Sequence, residues 1–211
     1  MNKEKLIIIG ASGHGKVVAE IAMKMNKWKT ILFLDDDKTI KSSLGIDVIG
    51  TTKDAFSYID EYDIFVAIGS NTIRERVFLK LENKGANFPV LIDPTAIISD
   101  RVKIEKGSVV MSGAIINCCT KIGKGAIINT GCTVDHDNVI EDFVHISPGV
   151  HTAGTVEIGR RTWLGIGSIV NNNLNITGNC NIGSGAVVVK DIKEPGTYVG
   201  IPARKLINNE K

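Results

Sequence analysis

The chain has 211 residues, 43% apolar and 23% charged, the make-up of a globular protein with one large domain or two small ones. Its 25 basic and 23 acidic side chains leave a formal charge of +2, too near balance for a nucleic-acid or membrane surface. No apolar run approaches a membrane span, the stretch after Lys5 is too short for a secretory signal, and Cys118, Cys119, Cys132 and Cys180 lack paired zinc spacing, so the expectation is a cytoplasmic protein with reduced thiols.

In chain order, the first half alternates strands and helices. A strand over 5–9 runs into Gly10-Ala11-Ser12-Gly13-His14-Gly15, and the apolar spacing predicts a helix from about Lys16. A strand over 31–34 ends in Asp35-Asp36-Asp37. A helix near 54–59, a strand over 64–68, a helix over 72–83 and a strand over 88–92 follow. Such alternation predicts a mostly parallel sheet, here a Rossmann-like α/β domain over residues 1–93. A strand–glycine loop–helix junction aims backbone N–H groups at an anion, typically phosphate. Gly10, Ser12, Gly13, His14 and Gly15 are therefore candidate acceptor-binding residues. Asp35 and Asp36 end the second strand, where acids often grip a ribose or base. Ser70, Asn71 and Arg74, at the start of a helix, are candidate phosphate contacts. The glycine spacing is G-x-x-G-x-G, not the dinucleotide G-x-G-x-x-G, so a purely structural turn also explains it.

The second half, residues 94–211, repeats every six residues. Reading from Ile98 to Val188 at that interval, fifteen of sixteen positions are aliphatic, and small residues such as Ser108, Ala114, Cys132 and Ala186 stand two places earlier. A helix repeats near 3.6 and a strand at 2, so a period of six fits short strands joined by turns, three to a coil, in a parallel β-helix. Residues 18 apart then stack, giving an interior column of Ile104, Ile122, Ile140, Ile158 and Ile176. Thr152 is the one break, and such departures are expected near functional sites. A narrow prism also explains why only 5% of residues are aromatic.

The glycine loop, Phe33-Leu34-Asp35-Asp36, Ala67-Ile68-Gly69-Ser70-Asn71, the uninterrupted hexapeptide helix with Val134-Asp135-His136-Asp137, and Val199-Gly200-Ile201-Pro202-Ala203 together resemble the bacterial sugar O-/N-acyltransferases. Within that family the likeness is greatest to UDP-4-amino-sugar N-acetyltransferases of bacillosamine synthesis. The resemblance covers nearly the whole chain. It implies a left-handed β-helix, acetyl-CoA as co-substrate, a nucleotide-sugar acceptor on the first domain, and a homotrimer with each site between adjacent β-helices. It also implies His136 as base with Asp137 beside it, Asn129 near the acceptor, and His145 near the acetyl group or acceptor.

The residues support that chemistry independently. A sugar amine must lose a proton as it attacks a thioester, and His, with a reference pKa near ~6.5, is suited to accept it. The 18-residue stacking puts His136 above Cys118 and below Gly154, whose exposed N–H is expected to serve an oxyanion. Gly165, Ile166, Gly167, Ser184 and Gly185 would admit pantetheine close to the backbone, although turn geometry alone also accounts for those glycines. Four other readings stand beside this one. They are O-acetylation of sialic acid or another sugar hydroxyl, an acyl-enzyme on Cys118, a zinc site using His145 and His151, and a non-catalytic β-helix scaffold. The His spacings do not match the zinc set, and no metal is expected.

Overall fold

The computed structural model describes residues 3–206; the end of the C-terminal tail, 207–211, lies outside the described residues. The chain divides into two compact units, Met1–Pro94 and Thr95–Lys211. No helix among the described residues is long and apolar enough to cross a membrane.

The first unit runs β1 (Lys5–Ile9), α1 (Gly13–Met25), β2 (Thr30–Leu34), β3 (Ser42–Ser43), β4 (Ile46–Asp47), a 3-10 helix (Thr52–Ser57), β5 (Asp63–Val66) and α2 (Asn71–Glu82). β1 lies between β2 and β5 and pairs with both in parallel. Leu6, Ile7, Ile8 and Ile9 are at most 1% exposed, which is why β1 reads as an unbroken apolar run rather than an alternating one.

Local details differ from expectation. α1 begins at Gly13, not Lys16, so the second half of the glycine segment is already helical. Close packing dictates one of those glycines: a Cβ on Gly15 would lie 1.9 Å from the Gly10 carbonyl oxygen. The expected 54–59 helix is the short 3-10 helix, started by a reciprocal cap between Thr51 and Asp54. The strand over 64–68 is Asp63–Val66, and the helix over 72–83 is Asn71–Glu82. The strand over 88–92 shrinks to Leu91–Ile92, because Phe88 instead stacks on Phe78 at 3.9 Å. The β3–β4 hairpin was not expected, since two-residue strands show no period.

The second unit is a parallel β-helix of about six turns. Its first face stacks Ile97–Ile98, Ile115–Ile116, Thr133–Val134, His151–Thr152, Ile169–Val170 and Val187–Val188. The second stacks Lys103–Ile104, Lys121–Ile122, Val139–Ile140, Glu157–Ile158 and Asn175–Ile176. The third runs from Val109–Val110 through Ile127–Ile128, His145–Ile146 and Trp163–Leu164 to Cys180–Ile182. Every rung keeps the 18-residue register. The second residue of nearly every strand points inward, and Ile122, Ile140, Ile158 and Ile176 are at most 1% exposed. Burying each such side chain stabilises the coil by about 1.5–3 kcal/mol. Thr152 sits in this interior, 3% exposed with its hydroxyl unpartnered. Its carbonyl accepts the Asp135 N–H at 3.1 Å, so the break in the column adjoins the His136 turn.

Candidate active site

Each coil turns three corners, and a residue in the left-handed region makes most of these turns. Between the third and first faces that residue is always glycine: Gly113, Gly131, Gly149, Gly167 and Gly185, with φ from 63° to 67°. Between the first and second faces it is Cys119, Asp137, Thr155 and Asn173, with φ from 58° to 64°. Left-handed geometry costs an L-residue roughly 1–2 kcal/mol, less for Asn and Asp. This corner therefore keeps side chains at a steric cost, and His136 stands on it.

The His136 ring is held on one side by its neighbour. Its Nδ1 lies 2.8 Å from Asp137 Oδ2, and both side chains are about half exposed. The bond to Asp137 raises the imidazole pKa above its ordinary value, and the charges of Asp135 and Asp137 add to the shift against slight desolvation. With Nδ1–H donated to a carboxylate, the neutral ring carries its lone pair on Nε2. Asp135 Oδ1 accepts both the His136 backbone N–H at 2.8 Å and the Asn117 amide at 2.7 Å, tying the turn to the preceding coil.

On its other side the ring lies against Gly154. A Cβ there would fall 2.5 Å from both Cε1 and Nε2 of His136. The expected stacking holds, but the expected exposure does not, because Gly154 is buried beneath the imidazole. Cys118 is exposed with a free thiol, and its carbonyl accepts the Asp137 N–H at 3.0 Å.

The other candidate residues of this unit stand on a different edge. Asn129 Nδ2 is 3.2 Å from His145 Nε2, and the His145 ring centroid is 6.1 Å from that of Trp163. Trp163 Nε1 donates to Ser147 Oγ at 2.6 Å. Gly165, Ile166, Gly167, Ser184 and Gly185 continue this edge, where the third face meets the first. Ile166 is 59% exposed, and Gly165 is so close to the next coil that a Cβ would lie 2.6 Å from the Ile182 carbonyl oxygen. One chain thus separates His136, Asp137 and Gly154 from Asn129 and His145 by the width of its first face. Trp163 and Ser147 were missed in the sequence. The only available signal was an aromatic residue at an outward strand position of an otherwise aromatic-poor repeat.

In the first unit, Ile9, Gly10, Ser12, Asp35, Asp36, Thr52, Ala67, Ile68 and Gly69 line one cleft at the carboxyl ends of the strands. Ser12 and Ser70 are the N-caps of α1 and α2, and neither hydroxyl caps its helix, so the first-turn N–H groups remain suited to an anion. Asp35 is a brace, accepting the Ala11 N–H at 2.7 Å and the Asp37 N–H at 2.8 Å. Asp36 Oδ1 accepts the Thr52 N–H at 2.9 Å.

Two expectations are corrected here. Arg74 is 1% exposed. Its guanidinium donates to the Ile68 and Gly69 carbonyls at 2.9 and 3.1 Å and to Asn71 Oδ1 at 2.8 Å, so it shapes the turn instead of presenting its charge to phosphate. His14 is mostly buried, with Nε2 unpartnered. Burial, reinforced by the Arg74 charge, lowers its pKa to about 4, so it is neutral at physiological pH and brings no charge to an anion. Gly13 remains exposed at the first turn, whereas Gly15 is buried against Gly10.

Residues 5–81 match the PglD N-terminal domain family. The acetyltransferase domain of PglB from Neisseria gonorrhoeae, solved in complex with acetyl coenzyme A, is 41% identical, with 97% of this chain and 100% of that chain covered and a TM-score of 0.93. Perosamine N-acetyltransferase from Caulobacter crescentus, a mutant in complex with CoA and GDP-perosamine, is 32% identical, with 97% of each chain covered and a TM-score of 0.93. A GDP-perosamine N-acetyltransferase of Escherichia coli O157:H7 is 29% identical over 169 residues, 77% of this chain and 76% of that protein. With its coils, its glycine-loop domain and these relatives in agreement, the chain belongs to the hexapeptide-repeat sugar acyltransferase family.

Proposed function

We propose that the protein moves acetyl from acetyl-CoA to the amine of a nucleotide-linked amino sugar, specifically a UDP-linked 4-amino-4,6-dideoxy sugar, by direct attack in a ternary complex. The observation that carries this reading is the 2.8 Å contact between His136 Nδ1 and Asp137, which leaves Nε2 free to take a proton. The amine nitrogen attacks the thioester carbonyl, and the new C–N bond forms as the amine proton passes to Nε2. Asp137 steadies the resulting imidazolium. The tetrahedral intermediate then breaks its C–S bond, and the imidazolium proton goes to the departing CoA thiolate. Gly154, under the ring, is the candidate amide for the oxyanion once the ring shifts to meet substrate.

The strand-end cleft is the proposed seat of the nucleotide, with diphosphate at the N-termini of α1 and α2 and Asp36 toward the ribose or base. Uridine is the proposed base because the sequence motifs resemble those of UDP-amino-sugar N-acetyltransferases. GDP-perosamine, bound by the Caulobacter relative, is the acceptor to test beside it. Acetyl-CoA, present in the neisserial relative, is proposed to follow Gly165, Ile166, Gly167, Ser184 and Gly185. Both substrates accord with a cytoplasmic reaction.

A homotrimer is the proposed assembly, and the separation of the two edges supports it. They flank the first face, whose outward residues include Ile97 and Ile169, 64% and 41% exposed, whereas the second face presents Lys103, Lys121 and Glu157. Packing three copies through their first faces would bring the His136 edge of one against the His145 edge of the next.

The deciding experiment incubates the purified chain and acetyl-CoA with a UDP-4-amino sugar, GDP-perosamine, a UDP-sugar lacking the amine, and free sialic acid. Thiol release and product mass are followed. Transfer to a nucleotide-linked amine, lost by a factor on the order of 10²–10⁴ in His136→Ala, is expected. Transfer only to the amine-free sugar or to sialic acid would overturn N-acetylation.

A further inference from the structure

Asn138 is 0% exposed and sits directly beneath the catalytic turn. Its place in the repeat, two residues before the inward Ile140, belongs to small residues in most coils. At Ser108, Thr120 and Thr162 the hydroxyl there makes the same pair of bonds, whereas that of Ser168 is unpartnered. Ser108 donates to the Gly123 carbonyl at 2.7 Å and accepts the Ala126 N–H at 3.0 Å. Thr162 donates to the Thr177 carbonyl at 3.1 Å and accepts the Cys180 N–H at 3.3 Å. Each thus clips its coil to the next.

Asn138 makes that same pair, donating to the Ala153 carbonyl at 3.0 Å and accepting the Val156 N–H at 3.1 Å. Its carboxamide then does more than a hydroxyl is able to do. The second hydrogen on Nδ2 goes to the Asp135 carbonyl at 2.7 Å, with the His136 carbonyl at 3.4 Å. From the coil below, the Thr120 hydroxyl donates to the same Asp135 carbonyl at 2.7 Å. The peptide leading into His136 is therefore gripped from both sides, and the side chain that grips it also holds Ala153, the neighbour of Gly154. Burying a carboxamide costs several kcal/mol unless its bonds are made, and here they are made to the two backbone segments that set the ring against Gly154.

We propose that Asn138 is a positioning residue for the base, fixing the backbone of Asp135 and His136 relative to Gly154 through its second amide hydrogen. The proposal rests on the reading of His136 as the base. It goes beyond it by separating coil clipping, which a hydroxyl performs at Ser108, Thr120 and Thr162, from alignment of the imidazole, which only the carboxamide performs.

Asn138→Thr tests that separation. A threonine keeps the two clipping bonds seen at Thr162 and loses the grip on Asp135. Thr162→Val, which removes a clip far from His136, is the control. With acetyl-CoA and the acceptor that serves the wild type, Asn138→Thr is expected to lower kcat on the order of tenfold, because small misplacements of a catalytic group are expensive. Both KM values should stay within about twofold, since Asn138, at 0% exposed, is out of reach of either ligand. The thermal midpoint should fall no further than that of Thr162→Val, which keeps its kcat. Asn138→Ser repeats the measurement if the threonine variant does not fold. Wild-type kcat in both Asn138 variants would overturn the proposal, as would an equal loss of kcat in Thr162→Val. Full activity in His136→Ala would instead remove the base assignment itself, so the two failures are told apart.

Discussion

Asp137 Oδ2 lies 2.8 Å from Nδ1 of His136, the residue immediately before it. Neighbouring residues of a strand point to opposite sides, but Asp137 is in the left-handed region with φ 58°, and the two side chains meet. Asparagine tolerates that conformation as well as aspartate, so Asp137→Asn removes the charge and spares the corner. The His136 pKa, raised chiefly by this bond, should then fall toward the ordinary imidazole value near ~6.5, with Asp135 still nearby. A base works in its deprotonated form, so the acid limb of kcat/KM should move to lower pH. Turnover should drop by about tenfold, less than in His136→Ala. An unmoved limb would mean that another group sets it.

Gly154→Ala should disable the site without unfolding the chain. The added methyl would fall 2.5 Å from the His136 ring, well inside van der Waals contact, and the ring is the part able to move. Displacing it should lower kcat on the order of 10²-fold. The coil itself meets no comparable obstacle, so the melting temperature should change little. Wild-type turnover in this variant would show that neither the ring beside Gly154 nor the Gly154 amide matters to catalysis.

The β-helix was legible because its rule is local and repeated: an aliphatic residue every sixth place, a small one two before it, and the same register over the whole stack. The His136–Gly154 contact followed from that register alone. Residues whose environment depends on packing across a loop were not legible. Arg74 looks in sequence like a helix-start cation for phosphate, yet it is folded under the 68–69 turn. His14 sits in a glycine loop that promises exposure and is instead mostly buried. The pairing of Asn129 with His145 beside Trp163 is likewise a cross-coil event.

Asp36 and Arg74 should therefore behave differently when removed. Asp36 lines the strand-end cleft, and Asp36→Ala should raise the acceptor KM far more than the acetyl-CoA KM. Arg74→Ala would strip partners from two carbonyls and one amide oxygen, a loss of about 1–3 kcal/mol for each group left unsatisfied, and should show first as a lower unfolding midpoint. Equal effects of Asp36→Ala on both KM values would detach the nucleotide from this cleft.

Catalysis should require the proposed trimer, because each chain carries the two proposed halves of the site on separate edges. His136 follows the strand Thr133–Val134, and His145 lies on the third face, with the whole first face between them. Ile169 stands outward on that face, 41% exposed, and a lysine there would place three like charges where three apolar surfaces are proposed to meet. Ile169→Lys should dissociate the assembly and abolish transfer together. Lys121→Glu, a charge change on the second face, should leave both intact. Light scattering and activity are measured across one dilution series, so that loss of mass and loss of turnover are compared at the same concentrations. A monomer that stays fully active would confine the site to a single chain, and His136 would then need partners from its own coils.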